Sequence, residues 1–368
     1  KSQGTDMEQN PYWLINKVPN EDTRYRTLLN LSVKYKFNDL FSIQARGSAD
    51  YVVDKNNTRM YAGTSPVLCG MNPAGTGTNG RYIYGESSSL SSYGDVLFTY
   101  QQQFTNFSVN ASVGASINDY TGNGTGFDSY PGILSVPNVF TMQNCSLNKG
   151  SLTDWKTHTQ SQSVFFTGQV GFKDQIYVDV TARNDWTSTL PIENRSYFYP
   201  SVSGAIVFSQ FLQDQGILDR DAVLSFGKIR ASWARVGKDT SPYETNTALW
   251  PVGTFLNGMT GIGNSWTRGN PGLKPETTQS TEYGIELRFF KNRLKLDYAY
   301  YTNDSYDQII SPRGAQSTGY IFCSVNVGNV LNKGMELSIS GTPIETKDWT
   351  WETGINMAGN RGKLENLP

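Results

Sequence analysis

The chain of 368 residues contains a single histidine, His158, and that scarcity removes most hydrolytic and metal-centred chemistry. A Ser–His–Asp triad needs an imidazole beside its nucleophile, and zinc or copper sites draw chiefly on His and Cys. The three cysteines, Cys69, Cys145 and Cys323, are far apart and form no Cys-x-x-Cys pair. No zinc site is expected from them, and they read as unpaired or incidentally paired loop thiols. A phosphate-cradling P-loop and a GxSxG elbow are both missing. Gly122, Gly124 and Gly126 read as loop punctuation rather than a dinucleotide fingerprint. Scattered carboxylates could supply a glycosidase pair, but the sequence places no two of them together. Catalytic residues, metal and cofactor are all expected to be absent, and the chain does not read as an enzyme.

Charge is scarce too. Asp, Glu, Lys and Arg make up 17% of the residues and sum to a net charge of -1, so the basic field that attracts nucleic acid is missing. No apolar run reaches the roughly 18 residues of a membrane helix. That absence leaves a membrane β-barrel open, because its strands are apolar only at every second position. The chain starts at Lys1-Ser2-Gln3 without an apolar leader, so any secretion signal is expected to lie outside it.

What the chain does have is alternation. In residues 27–37, Leu29, Leu31, Val33, Tyr35 and Phe37 share one face, and Asn30, Ser32, Lys34 and Lys36 share the other. After Asn38-Asp39-Leu40 the pattern resumes with Phe41, Ile43, Ala45, Gly47, Ala49 and Tyr51 on one face. A period of two interrupted by a polar turn is a β-hairpin. The unit recurs at 94–104 with 107–117, 163–172 with 176–184, 197–208 with 223–235, 278–290 with 293–302, and 331–341 with 348–358. Twelve strands are expected.

Two features in combination, strand length and the placement of charge, separate these strands from those of a soluble sandwich. They run to ten or eleven residues, against about 5–6 in globular proteins. At ~3.4 Å per residue and ~45° tilt, that length covers roughly 25 Å, the apolar band of an outer-membrane barrel. The apolar faces read as free of Asp, Glu, Lys and Arg, which collect on the opposite faces, as at Lys34, Arg46, Asp179, Arg183, Arg230, Glu282, Asp297 and Glu336. Connections within pairs are short, except for 209–222, whereas those between pairs are long at 52–92, 118–162, 236–277 and 303–330, except for the short 185–196. Short periplasmic turns alternating with long extracellular loops are the habit of such barrels. Phe37, Phe41, Phe104, Phe107, Phe172, Phe289 and Phe290 stand beside the short turns, where an aromatic girdle sits at the headgroups. No domain boundary is visible, and both ends of the chain are expected to lie in extracellular connections.

Six segments then carry a family resemblance: Asn10-Pro11-Tyr12-Trp13, Val180-Thr181-Ala182-Arg183-Asn184-Asp185-Trp186-Thr187-Ser188, Tyr197-Phe198-Tyr199-Pro200-Ser201-Val202-Ser203, Lys228-Ile229-Arg230-Ala231-Ser232-Trp233, Asn270-Pro271-Gly272-Leu273-Lys274-Pro275-Glu276-Thr277-Thr278, and Asn332-Lys333-Gly334-Met335-Glu336-Leu337. In this order, across nearly the whole chain, they resemble the SusC/RagA group of TonB-dependent outer-membrane transporters. The family often has an acidic residue and a Trp where Gly272 and Pro275 stand here. The resemblance implies an all-β fold in which residues 1–368 are one stretch, about 12 strands, of a barrel of roughly 22 strands. Its plug, signal peptide and final strands would lie outside this chain. It also implies a SusD-like surface lipoprotein as lid, a TonB complex as energy source, outer-membrane lipid around the wall, and an oligosaccharide or peptide as cargo, with no role for nucleic acid.

Each segment also has a plain structural reading. Pro200 and Pro275 suit strand starts, Asn270-Pro271-Gly272 is a turn, and Arg183-Asn184-Asp185 closes a strand. The candidates for substrate or partner contact are Trp155, Trp250 and Trp266, whose planar faces can stack on sugars or pack within the loops. A passive porin or adhesin barrel, or a soluble all-β glycan-binding protein, are the alternatives.

Overall fold

The computed structural model describes residues 9–65, 68–69, 79–131, 134–145, 150–219, 222–254 and 259–366. The first four hairpins are β1 (Asn20–Lys36) with β2 (Phe41–Tyr61), β3 (Gly80–Gln103) with β4 (Phe107–Pro131), β5 (Gly150–Phe172) with β6 (Ile176–Thr187), and β7 (Ser196–Ile206) with β8 (Leu224–Lys238). Short strands β9 (Leu249–Thr254), β10 (Thr260–Asn264) and β11 (Thr267–Arg268) follow, then β12 (Glu276–Phe289) and β13 (Leu294–Tyr306). After β14 (Ile309–Ile310), β15 (Phe322–Cys323) and β16 (Val325–Asn326), the chain ends on β17 (Asn329–Glu345) and β18 (Thr350–Asn366). Twelve of these form one sheet in the order β1-β2-β3-β4-β5-β6-β7-β8-β12-β13-β17-β18, and they are the twelve that alternation predicts. Each lies beside its neighbour in sequence, the small strands aside.

The short turns hold as expected. Lys173 and Asp174 (φ 49° and 56°), and Lys291 and Asn292 (φ 57° and 69°), are the central pairs of two tight hairpin turns. These are closed by Gln175 N to Phe172 O at 2.9 Å and Arg293 N to Phe290 O at 3.3 Å. Positive φ at both positions is the type I′ geometry whose twist matches that of the flanking strands. The aromatic girdle is real contact: Phe41 stacks on Phe98 at 5.7 Å between ring centres, and Phe107 meets Phe172 at 4.9 Å. The 209–222 link is part helix, α2 (Phe208–Asp214), following α1 (Pro11–Lys17) near the chain start.

Cross-strand register lines up the two faces. Ile176, Ile206, Ile229, Ile285, Tyr298, Leu337 and Met357 form one continuous row over seven strands. The adjacent row on the other face runs Ala205, Arg230, Gly284, Ala299, Glu336 and Ala358. Buried apolar residues are correspondingly few, and large apolar side chains such as Ile229, Tyr283 and Met335 stand exposed.

Several expectations need correction. Strands span 11 to 25 residues rather than ten or eleven, and much of the 52–92 and 118–162 loops is strand in β2, β3, β4 and β5. Gly122, Gly124, Gly126, Trp155 and His158 therefore lie in strands, not loops. Alternation marks only the part of a strand with one apolar side; beyond it neither face is uniformly apolar, yet the backbone ladder continues. Pro200 is not at a strand start but inside β7, opposite Ala182. The ladder to β8 begins only at Ser201, so its missing donor costs nothing on that side. Arg235 and Lys333 share the parity of the apolar face, two residues past Trp233 and short of Met335. Both are exposed at the loop-side ends of their strands, where long cationic stems reach water.

The chain separates into two compact units: Lys1–Leu31, Gly47–Tyr93 and Asn118–Thr159 in the first, Ser32–Arg46, Gly94–Ile117 and Gln160–Pro368 in the second. The first has its own small core of Tyr82, Phe127, Leu134 and Cys145, with Tyr84 and Phe140 against it. Asn144 folds the covering loop through three side-chain bonds to Val136 and Val139. Asn10 caps α1 by accepting from Tyr12 N, and Trp13 Nε1 donates to Thr64 Oγ1 at 3.0 Å. The second unit contains the register rows above and a fully buried Leu273.

Candidate functional site

The first unit holds an open hollow of about 730 Å³, lined among others by Asp22, Arg24, Asp54, Glu86, Thr153 and Trp155. Arg24 and Asp54 lie equally far in sequence from Asp39 of the 37–40 turn and meet in a two-pronged pair, Nε to Oδ1 at 2.6 Å and Nη2 to Oδ2 at 2.9 Å. Two residues on, Asn56 Nδ2 donates to Asp22 Oδ1 at 2.6 Å and to Asn20 Oδ1 at 3.0 Å. Lys55 reaches Glu86 at 3.4 Å, and Tyr84 Oη donates to the same carboxylate at 2.6 Å. The hydrogen bond from Arg24 holds the Asp54 carboxyl below its ordinary range, and the Tyr84 hydroxyl, then Lys55, do the same for Glu86.

Trp155 lies on a bed of glycine. A Cβ on Gly124 would stand 2.6 Å from the indole nitrogen, and one on Gly122 would stand 3.2 Å from Cζ3. The alternate glycines of β4 thus clear the polar face of the sheet for a flat ring, since any side chain there would lift it. With 46% of its surface exposed, the indole keeps one face open to the hollow.

Of the three sequence-predicted tryptophans, only Trp155 lines this hollow. Trp250 is on β9, its Nε1 donating to Asn264 O at 3.0 Å. Trp266 follows β10, and its carbonyl accepts from Ile321 and Phe322. These two share the second unit's small-strand cluster and are both largely exposed. Arg24, Asp22, Asp54 and Asn56 were missed. Their one sequence signal is symmetry about the turn, visible only after the strands are extended past the apolar alternation.

The second unit's polar face is knitted by charge. Arg230 grips Asp297 with two bonds of 2.9 and 3.1 Å and touches Glu282 at 3.5 Å. Gly284 makes room for it, because a Cβ there would come within 2.5 Å of the guanidinium. At the end of β6, Arg183 bonds Asp185 at 2.7 Å and Ser163 at 2.8 Å, and Tyr199 donates to Asp185. Among the described residues no group of His, Cys, Asp and Glu is arranged to hold a metal.

Long antiparallel strands with one apolar face and one ion-paired face, short turns and an aromatic girdle define the wall of an outer-membrane β-barrel. A family model described as TonB dependent receptor-like, beta-barrel matches residues 2–362, and the chain belongs to this family. TonB-dependent receptor P3 of Formosa agariphila is 25% identical over all of this chain and 36% of its own length. TonB-dependent receptor SusC of Bacteroides thetaiotaomicron is 26% identical over 57% of the chain and 21% of its own length. The chain thus spans between a fifth and about a third of the curated relatives it matches. Among solved structures, the RagAB peptide transporter superposes with a TM-score of 0.84 at 21% identity, covering 97% of this chain and 38% of that one. The location that follows is the bacterial outer membrane.

Proposed function

We propose that this chain is wall and cell-surface vestibule of an outer-membrane importer of the SusC/RagA type. It would take up oligosaccharides with energy from a TonB complex and under a SusD-like lipoprotein lid. The observation that carries the cargo reading is the half-exposed Trp155 above its glycine bed, facing paired carboxylates in one hollow. Peptide cargo is the second reading, favoured by the likeness to a structure described as a peptide transporter. The whole protein in cells with and without an inner-membrane TonB complex tests the proposal. Uptake of a labelled oligosaccharide is expected to vanish without the complex, whereas a passive porin would pass it equally in both.

A pH dependence follows from the depressed carboxyls. A folded-state value below the unfolded one means the charged pair is complete above the ordinary Asp range and is lost as pH falls through the lower value. Cargo binding is therefore expected to stay level from neutrality down to about pH 5 and to weaken only below the usual carboxylate range of roughly 4. Affinity measured across that span checks it; a midpoint near pH 6 would contradict the assignment to Asp54 and Glu86.

A further inference from the structure

We infer that the hollow beside Trp155 is a subsite for one uncharged sugar ring, and that it discriminates against sulfated or carboxylated sugars. The inference rests on the import reading above for how sugar reaches the hollow, and it adds the chemistry that the hollow selects. Its volume of about 730 Å³ is within the range of small-ligand sites. The open indole face offers a π surface of negative character, and the axial C–H groups of a pyranose are apolar with slight positive character. Such a ring lies flat on such a face.

The rim completes the preference. Asp22, Asp54 and Glu86 line the hollow, and ionised carboxylates only accept hydrogen bonds, with four lone-pair sites each. Asp54 uses one site on each oxygen for Arg24, so acceptor capacity is left for sugar hydroxyls, which donate. Cations are the scarcer partner. Among the described residues, Arg24 and Lys55 are the two basic residues of the lining, against three acids, a net charge of -1. Each is engaged, Arg24 with Asp54 and Lys55 with Glu86. A sulfate or uronate would have to break one of these pairs and enter a negative field, whereas a neutral ring has neither cost.

The test uses the full-length transporter with its partner lipoprotein in detergent, titrated calorimetrically with malto-, cello-, xylo- and mannohexaose and with a sulfated hexasaccharide. At least one neutral probe is expected to bind at least about tenfold more tightly than the sulfated one. Trp155→Ala is expected to weaken that binding about tenfold, Trp155→Phe to restore much of it, and Gly124→Val to weaken it by lifting the indole. Tryptophan fluorescence of the wild type should change on binding, and the change should be lost in Trp155→Ala. If no neutral probe binds, if the sulfated probe binds equally well, or if Trp155→Ala binds like wild type, the inference is overturned. The import reading fails separately, through uptake that persists without the TonB complex.

Discussion

Ile229→Arg is expected to lower the stability of the membrane-inserted barrel by about 2–4 kcal/mol, the cost of an arginine facing lipid near the midplane. Ile229 lies five residues from the turn-side end of β8 and is flanked by Ile206 and Ile285 in the apolar row. The very next residue is already an arginine, but Arg230 is on the other face, where Asp297 and Glu282 receive it. One position along the strand thus separates an arginine that is accommodated from one that is excluded. Folding of the full-length protein into bilayers, followed by heat-modifiable gel migration and urea midpoints, measures the difference. Ser232→Arg, on the face of Arg230, is the control and should change the midpoint little. Equal tolerance at 229 and 232 would overturn the assignment of faces.

Leu273→Ala should produce the second large effect, about 2–5 kcal/mol of local stability, as for other large-to-small changes at fully buried sites. Leu273 has no exposed surface. The turn before it is closed by Asn270, whose Oδ1 accepts from Gly272 N at 2.9 Å. Asn194 Nδ2 donates to the carbonyls of Gly272 and Leu273 at 3.3 and 3.0 Å. A methyl in place of the isobutyl group leaves a void beneath this turn without touching the ladder from β8 to β12. The expected readout is faster protease cleavage in the 239–275 connection while the twelve-stranded sheet keeps its thermal transition. Cleavage at the wild-type rate would show that the leucine does not anchor the loop.

The contrast between these two positions also marks what was legible in the chain. Ile229 could be placed from sequence, because lipid imposes a strict period of two on any strand that crosses it. The same constraint made all twelve strands and their short turns readable from Leu29–Phe37 onward. Leu273 could be named within a family-like segment, but nothing local distinguishes a buried leucine from an exposed one in an irregular connection. Trp155 is a candidate on its chemistry alone, and the sequence suggests a loop there, since Ser- and Gly-rich strand reaches carry no apolar alternation. Gly122 and Gly124 look like loop punctuation for the same reason.

By itself the sequence determined the class of fold, the count of long strands and the residues that share each strand's apolar face. All of these follow from a repeating solvent boundary that each strand meets alone. Only the tertiary structure decided how far the strands run past that boundary, which polar residues pair across them, and that the indole of Trp155 lies flat over glycine. Those outcomes depend on register between strands far apart in sequence, and no single strand encodes its neighbour's register.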